Sequence, residues 1–393
     1  MKKLFIAAIM SLSLLATSVF AEIKVGIILG FTGPIESLTP AMRDSAKLAF
    51  QEASDSGALL GGETITVIEG DSTCVDSSAA QSVAESQVSQ GVVAIMGADC
   101  SGVTGAIASN VAVPNGVVMI SPSATSPGLT TLDDKGLFFR TAPSDARGGQ
   151  ILADITKDRG IKSVAITYTN NDYGKGLADV YEAAVKAHGI SVTVVAAHED
   201  GKADYSAEVG VLASAGGDAV AVIGYLDQGG KGIIQGSIDS GAFDTFILSD
   251  GMIGNSLTDA FGKSLNKSFG SLPGSTGKGA GIFTKVASAA GIDSSGPYTG
   301  ESYDAAALIV LAIQAGGSAD RGSIAKNVMA VANGPGKKIY PGQLKKALNL
   351  LAKGKGVDYE GATAVNFTDV GEAVGSFLEK EVKGGKFKTK KQR

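Results

Sequence analysis

Short apolar runs alternate with helical patterns along this chain, and the alternation occurs twice. Alternation of this kind predicts a parallel sheet with helices on both faces. The first series has predicted strands at 23–29, 65–69, 92–96 and 117–120, and helices at 40–58, 77–89 and 104–113. The second has strands at 164–168, 192–197, 219–224 and 246–248, and helices at 148–159, 175–187, 206–214 and 230–240. We therefore predict an α/β protein with two doubly wound parallel-sheet lobes.

Each predicted lobe is built from two stretches of chain. The strand–helix rhythm breaks near 143, and the Gly- and Ser-rich segment 269–281 is typical of a crossover loop. Helices at 303–314 and 342–351 and strands at 361–367 and 376–382 follow. The predicted lobes are 22–143 with 273–358 and 144–272 with 359–393. A hinge of three segments would place the two sheet ends face to face across a cleft.

Residues 1–21 have the pattern of a secretory signal peptide. Lys2 and Lys3 are followed by the apolar run 4–15, and Val19 and Ala21 occupy the small-residue positions before a cleavage site. Such a segment is removed from the folded protein, and it is too short to serve as a membrane span. We predict export to the periplasm.

The charge balance argues against nucleic acid as a partner. The formal charge is −5, and it becomes −7 without Lys2 and Lys3. An acidic chain is repelled by phosphate backbones. The basic cluster 383–393 is interpreted as a solvated terminus.

The chain has two cysteines, Cys74 and Cys100, and both follow predicted strands. An even number of cysteines in an oxidising compartment predicts a disulfide. The alternative is a pair of separate buried thiols.

Candidate binding residues follow the strands of both lobes, where open α/β sheets bind ligands. The first lobe supplies neutral groups and the second an acid with aromatic rings. Hydroxyl and free backbone N–H groups favour an anion, whereas the acid favours a cation. A zwitterion with an α-carboxylate and an α-ammonium fits both sides. The candidates are Phe31, Thr32, Ser101, Ala124 and Thr125 in the first lobe, and Asp172, Tyr173, Tyr225 and Asp250 in the second.

Each candidate also has a structural interpretation. Ser101 is placed to cap the helix that follows it. Thr125 precedes Ser-Pro and is placed to start a turn. Tyr173 and Tyr225 are alternatively packing residues, and Asp250 in Ser-Asp-Gly is a common turn residue.

Enzyme motifs are absent from the sequence. It contains no HExxH pattern, and its two histidines, His188 and His198, lie toward the far ends of predicted elements. A histidine-based triad or metal site is therefore not expected. We predict a protein without catalytic activity, cofactor or metal, with a periplasmic hydrolase as the competing hypothesis.

Several short segments, in their order, carry a family resemblance. They are 23–26 with 32–34, 97–101, 120–127, 171–176, 224–225 and 295–298, and the segments 338–342 and 358–363 are similar to a longer-tailed subgroup. On these segments the chain resembles the periplasmic substrate-binding proteins of branched-chain amino acid ABC transporters, which have the type I fold. The likeness covers almost all of the chain after the signal peptide.

The resemblance implies roles for individual residues. Ser101 and Thr125 would bind the ligand α-carboxylate with backbone N–H groups around Ala124. Tyr173 and Tyr225 would close on the ligand from the second lobe.

Three further assignments come from the same resemblance. Asp250 stands where relatives carry a glutamate that pairs with the α-ammonium. Leu38 lies near a position where relatives often have a larger ring. Cys74 and Cys100 match the disulfide of the family.

The implied function is capture of an L-amino acid, aliphatic or branched-chain, by a monomer that delivers it to an inner-membrane ABC permease. Two other functions share the fold. One is binding of an amide, urea or other small polar ligand, and the other is a soluble sensor domain.

Overall fold

The computed structural model describes residues 22–393, so the predicted signal peptide lies outside the described residues. The strands are β1 (Glu22–Leu29), β2 (Thr64–Asp71), β3 (Ala94–Gly97), β4 (Val118–Ser121), β5 (Phe138–Arg140), β6 (Ser163–Thr169), β7 (Ser191–His198), β8 (Ala219–Ile223), β9 (Phe246–Leu248), β10 (Phe269–Pro273), β11 (Lys337–Ile339), β12 (Val357–Tyr359), β13 (Phe377–Val382) and β14 (Phe387–Gln392). The helices are α1 (Thr39–Asp55), α2 (Ser77–Ser89), α3 (Ser101–Ile107), α4 (Asp145–Asp158), α5 (Asp172–Ala187), α6 (Ser206–Ala215), α7 (Gly229–Ser240), α8 (Asn255–Phe261), α9 (Lys278–Ala289), α10 (Thr299–Gly316), α11 (Arg321–Ala332) and α12 (Leu344–Leu351).

Two large sheets define two lobes. The first has the order β2-β1-β3-β4-β5 and is parallel throughout. The second has the order β14-β13-β10-β9-β8-β6-β7 and is parallel except for β13 and β14. A short parallel pair, β11 and β12, forms a third sheet. The predicted α/β class with two parallel-sheet lobes is confirmed.

The central strands are apolar because helices cover both faces of each sheet. Every residue of β3, β4 and β8 is buried, as expected for central parallel strands. In the first lobe α10 is buried almost all round and packs along α1. Within residues 22–393, no helix is long and apolar enough to cross a membrane.

The segment 269–281, predicted as a crossover loop, begins with the buried strand β10. Gly270 shows why the glycine content of this segment wrongly predicted a loop. A Cβ atom at this residue would lie 2.1 Å from the Leu248 carbonyl oxygen of β9. The glycine therefore permits close strand pairing rather than loop formation.

Two other predictions near the C-terminal end are wrong. Residues 361–367 do not form a strand. Residues 361–364 are turns, because the N–H groups of Ala362 and Thr363 donate to the buried Asp304 carboxylate, and Phe367 makes only an isolated bridge with Ala373. The basic cluster 383–393 is not a solvated terminus, since it contains β14, which pairs with β13. Its lysines lie on an edge strand, where charge prevents association with other strands.

The chain passes between the lobes three times. The first two crossings follow β5 and β10. After β12 the chain stays against the first lobe, where Arg140 forms a parallel bridge with Glu372. We therefore place the third crossing between Ala373 and Phe377, about 15 residues beyond the boundary predicted after 358.

Candidate ligand-binding cleft

A small cavity lies between the lobes, at the carboxyl ends of the parallel strands. Both lobes and the start of α10 contribute to its walls. Its polar lining residues are Asp99, Ser101, Ser123, Tyr173, Tyr225, Asp250 and Tyr298, and its apolar ones include Ile35, Leu38 and Met42. The structure thus brings together five of the predicted ligand-binding residues: Leu38, Ser101, Tyr173, Tyr225 and Asp250.

The lobes touch across this cleft through direct hydrogen bonds. Ser126 Oγ of the first lobe donates to the Asp172 carbonyl oxygen at 3.0 Å. Asp227 N donates to the Pro34 carbonyl oxygen at 3.0 Å, and Ser37 N donates to Asp227 Oδ2 at 2.9 Å. The structure is therefore that of a closed cleft.

Ser101 presents a hydroxyl to the cavity. It is 2% exposed, and its Oγ accepts the Ser126 N–H at 3.0 Å. Ser101 is the first residue of α3, whose N-cap is Cys100, so its side chain is not the helix cap. In this bond Ser101 Oγ acts only as an acceptor, so the hydrogen of the same hydroxyl can be donated to an anion.

The loop after β4 places Ala124 and Thr125 beside the cavity rather than in its wall. Ala124 N donates to Ser121 Oγ at 2.9 Å, so this N–H group is already bonded. Thr125 Oγ1 is buried and makes no hydrogen bond of good geometry within residues 22–393, although it lies near enough to the Asp145 carboxyl to lower the pKa of that acid. A buried hydroxyl without a partner costs free energy, which an additional bound group would relieve.

Asp250 supplies the acid of the second lobe. It is 7% exposed, and burial raises the pKa of its carboxyl. Oδ1 accepts the Tyr173 hydroxyl at 2.7 Å, and Oδ2 accepts the hydroxyl of Tyr298 from the first lobe. The Tyr173 ring stacks on Tyr225 with 5.2 Å between the ring centres. The two aromatic candidates thus form one wall with the acid at its end.

A second buried acid, Asp145, was not predicted from the sequence. It is 3% exposed, and Oδ2 has no hydrogen-bond partner among the described residues. Burial raises its pKa well above the usual range, and the nearby charge of Asp250 raises it further. Asp145 is the first residue of α4, where an acid is common for helix stability alone. The sequence therefore gave no signal that distinguished it.

The two acids share a small chamber. Asp145 and Asp250 both line a small second cavity, together with Leu152, Leu177, Ser249 and Phe377, and Asp250 also lines the cleft. Two carboxyls in one buried space are stabilised by a cation, because each then gains an opposite charge. The arrangement therefore favours an ammonium group between them.

Leu38 lies in the apolar part of the cavity with Ile35 and Met42. Phe31, the other predicted contact from this region, does not line it. Its ring centre lies 5.9 Å from the Arg43 guanidinium carbon, on the partly exposed side of the loop. Aliphatic rather than aromatic groups thus form this wall.

Asp99 connects the loops that carry the cavity-lining residues of the first lobe through hydrogen bonds. Its carboxylate accepts the Gly30 N–H at 2.5 Å, the Ser72 hydroxyl at 3.1 Å and the Cys100 N–H at 2.9 Å. The predicted disulfide between Cys74 and Cys100 is confirmed beside it. Together they join the loops that follow β1, β2 and β3.

The histidines lie away from the cavity lining. Within residues 22–393 no group of three His, Cys, Asp or Glu side chains is arranged to hold a metal ion. His188 pairs with Asp154 at 2.8 Å, and His198 Nδ1 lies 2.8 Å from Thr167 Oγ1. The cleft residues themselves are equipped to bind and orient a small ionic ligand.

Two doubly wound lobes with a polar cavity between them define a receptor that encloses a small molecule. The chain belongs to the periplasmic binding protein family, whose model matches residues 22–340. This confirms the resemblance found in the sequence, and the named relatives are Leu/Ile/Val-binding proteins.

Three relatives illustrate the match. Leu/Ile/Val-binding protein homolog 1 of Brucella melitensis is 32% identical over 318 residues, covering 79% of this chain and 82% of the relative. Homolog 3 of the same organism is 32% identical over 218 residues, covering 55% of this chain but only 58% of the relative. The crystal structure of the branched-chain amino acid transporter substrate-binding protein LivJ of Streptococcus pneumoniae, in complex with isoleucine, superposes with a TM-score of 0.77 at 22% identity, covering 95% of this chain and 99% of that one.

Proposed function

We propose that this chain is the periplasmic solute-binding component of an ABC importer and that it binds an aliphatic L-amino acid in the cleft. The observation that carries the proposal is the division of the cavity into two sides. The first lobe supplies the hydroxyl groups of Ser101 and Thr125. The second supplies two buried acids that share a chamber, Asp250 and Asp145, and one oxygen of Asp145 has no partner within residues 22–393.

The ligand would span these two sides. Ser101 and Thr125 bind its α-carboxylate with donors that the protein leaves free. Asp145 and Asp250 hold its α-ammonium, since both carboxyls are buried and lack a cationic partner among the hydrogen bonds described above. Ile35, Leu38 and Met42 contact an aliphatic side chain.

Closure of the lobes completes the site. Asp250 bonds to Tyr298 of the first lobe, so the acid and the carboxylate-binding loop meet only when the cleft is shut. A ligand that contacts both lobes stabilises the closed state by as much as its contacts differ between the two states. The closed monomer would then dock on an inner-membrane permease, with no reaction and no cofactor.

The relatives support this assignment. The Brucella proteins are named for leucine, isoleucine and valine, and the pneumococcal structure contains isoleucine. The aliphatic wall around Leu38 suits the same class of side chain.

A ligand screen tests the proposal. After removal of carried-over ligand by unfolding and refolding, L-leucine, L-isoleucine and L-valine should each raise the melting temperature. Saturation at 100 times the dissociation constant adds about 2.7 kcal/mol to the free energy of unfolding. Stabilisation by a sugar or a neutral amide alone would contradict the assignment.

A matched pair of variants tests the site. Asp250→Asn should weaken L-leucine binding by roughly 2–5 kcal/mol, because a charge-assisted contact with a desolvated ammonium is lost. Asp259→Asn, at an exposed position of α8 in the same lobe, should leave the affinity unchanged. Equal affinities for all three proteins in calorimetry would reduce Asp250 to a turn residue.

A neutral amide or urea is the second candidate ligand. Asp145 favours it in one respect, because a carboxyl with a raised pKa retains its proton and can donate to a carbonyl oxygen. The pH dependence separates the candidates. Amide binding would weaken as pH rises, whereas binding of an ammonium strengthens.

A further inference from the structure

We propose that Arg140, held by Glu372, is the positioning residue of the carboxylate side of the cleft. It fixes the loop 124–126 so that the N–H and the hydroxyl of Thr125 remain available to the ligand. This inference rests on the proposed function for the chemical nature of the ligand. The order of the loop 124–126 can nevertheless be measured in the ligand-free protein.

Arg140 is the last residue of β5 and is 1% exposed. Each of its five N–H groups has an acceptor. One terminal nitrogen donates to the carbonyl oxygens of Ala124 at 3.1 Å and Ser126 at 2.9 Å. The other donates to Thr130 Oγ1 at 2.9 Å and to Glu372 Oε2, and Nε donates to the same Glu372 oxygen at 3.2 Å.

These bonds set the direction of the peptide groups in the loop. In a trans peptide the carbonyl and the following N–H point in opposite directions. Because the Ala124 carbonyl points to Arg140, the Thr125 N–H points away from it. No described residue accepts a hydrogen bond of good geometry from this N–H or from Thr125 Oγ1, and the nearest acid to that hydroxyl is the Asp145 carboxyl, whose pKa it lowers. The guanidinium therefore leaves two donors of one residue free.

The next peptide group completes the arrangement. The Thr125 carbonyl accepts the Asp145 N–H at 2.8 Å, while Ser126 N donates to Ser101 Oγ at 3.0 Å. Both predicted carboxylate ligands, Ser101 and Thr125, thus depend on the path of this loop. Arg140 anchors that path through the carbonyl oxygens of Ala124 and Ser126, and Ser101 through the Ser126 N–H.

Glu372 connects the same anchor to the third crossing. The backbone of Arg140 pairs with this segment, since Arg140 N donates to the Gly371 carbonyl and Ala373 N donates to the Arg140 carbonyl, both at 3.0 Å. Glu372 Oε2 also accepts the Thr130 hydroxyl at 2.9 Å. The binding loop and the last segment before the second lobe are therefore parts of one buried cluster.

A test must separate positioning from stability alone, because breaking a buried ion pair destabilises a protein wherever it lies. The matched control is Arg159→Gln. Arg159 pairs with the buried Glu379 at 2.9 Å, but it lies in the second lobe and does not contact the loop. Both substitutions remove a guanidinium that pairs with a glutamate. Arg159 is 23% exposed and Arg140 is 1% exposed, so the control shows the effect of losing an ion pair away from the loop rather than an equal loss of stability.

The probes are L-leucine and 3-methylbutylamine, which is leucine without its carboxylate. Calorimetry with direct and competitive titrations should show that Arg140→Gln weakens L-leucine binding at least tenfold more than it weakens amine binding. The Arg140 charge lowers the Asp145 pKa, so its removal raises that pKa and weakens both ammonium probes alike. The difference between the two probes therefore reports on the carboxylate side alone. Arg159→Gln should change neither affinity by more than twofold. Equal losses for both probes, or no loss for either, would overturn the proposal.

Hydrogen exchange of the ligand-free protein gives an independent result. Amides of residues 121–131 should exchange about tenfold faster in Arg140→Gln than in the wild type, and at the wild-type rate in Arg159→Gln. If Arg140→Gln fails to fold, Glu372→Gln keeps the guanidinium in place and should give a smaller change of the same kind. If the wild-type protein binds no aliphatic amino acid, the proposed function is wrong. If the exchange rates of the loop are unchanged in Arg140→Gln, the proposed role of Arg140 is wrong.

Discussion

Asp304 of the first lobe and Asp145 of the second are both buried carboxyls near the start of a helix, but they differ in their partners. Asp304 accepts the Tyr359 hydroxyl at 2.8 Å and the N–H and hydroxyl groups of Thr363 at 2.9 and 2.7 Å. The Ala362 N–H also donates to it. Asp145 has an oxygen with no partner in the described part of the chain, and it faces a cavity.

This difference separates a structural acid from a candidate binding acid. Burial raises the pKa of Asp304 to about 6, because its hydrogen bonds offset much of the desolvation. Desolvation raises the pKa of Asp145 well above its usual range, and Asp250 adds to this effect. The protein supplies the donors that Asp304 needs, whereas a ligand would have to supply those for Asp145.

The same substitution at both residues tests this distinction most strongly. Asp304→Asn places an amide NH₂ group among four donors, so it should lower the free energy of unfolding by roughly 2–4 kcal/mol. Asp145→Asn removes an unsatisfied acid, so it should leave stability within about 1 kcal/mol of the wild type or raise it. Urea unfolding at pH 7 without ligand measures both. Equal destabilisation would mean that Asp145 is a structural residue too.

The pH dependence of binding should give the next largest effect. An ammonium ligand requires Asp145 to release its proton, and the pKa of this carboxyl is raised, so L-leucine affinity should rise with pH above the usual range of an aspartate. The increase is at most about tenfold per pH unit for one released proton. Calorimetry of Asp145→Asn should show a flatter profile, while Asp304→Asn should keep the wild-type slope. An affinity that falls as pH rises would favour a neutral ligand instead.

The smallest effect is expected at the rim of the cleft. Asp227 accepts the Ser37 N–H across the cleft and the Ser256 hydroxyl within its own lobe. Asp227→Ala should destabilise the closed state by about 1 kcal/mol and weaken ligand binding about fivefold. Asp239→Ala, on the exposed side of α7, is the control. Small-angle scattering should show a larger radius of gyration for ligand-free Asp227→Ala, and an unchanged curve and affinity would contradict this role.

Most of the fold was predictable because the strand–helix alternation is local. α2 and β9 were predicted with the bounds that the structure has. The hydroxyl candidate Ser101 and the acid Asp250 were found because both follow parallel strands. Ligand sites in such sheets occur at the strand ends.

The remaining features depend on contacts between distant residues. β10 was missed because its glycine reflects close pairing with β9, and β14 because its lysines resemble a solvated tail. Asp145 was missed since an acid at a helix start needs no ligand to explain it. The absence of a partner for its oxygen becomes apparent only when the surrounding chain is folded.

The three crossings also determine when folding can be completed. The first sheet has all its strands by Arg140, but helices α9 to α12, which complete that lobe, come from residues after 277. The second sheet gains its edge strand β14 only at Gln392. During synthesis, therefore, neither lobe can complete its packing until the chain has passed through the other lobe. Contacts this distant in sequence form slowly, so we expect the last steps of folding to follow the synthesis of the C-terminal segment.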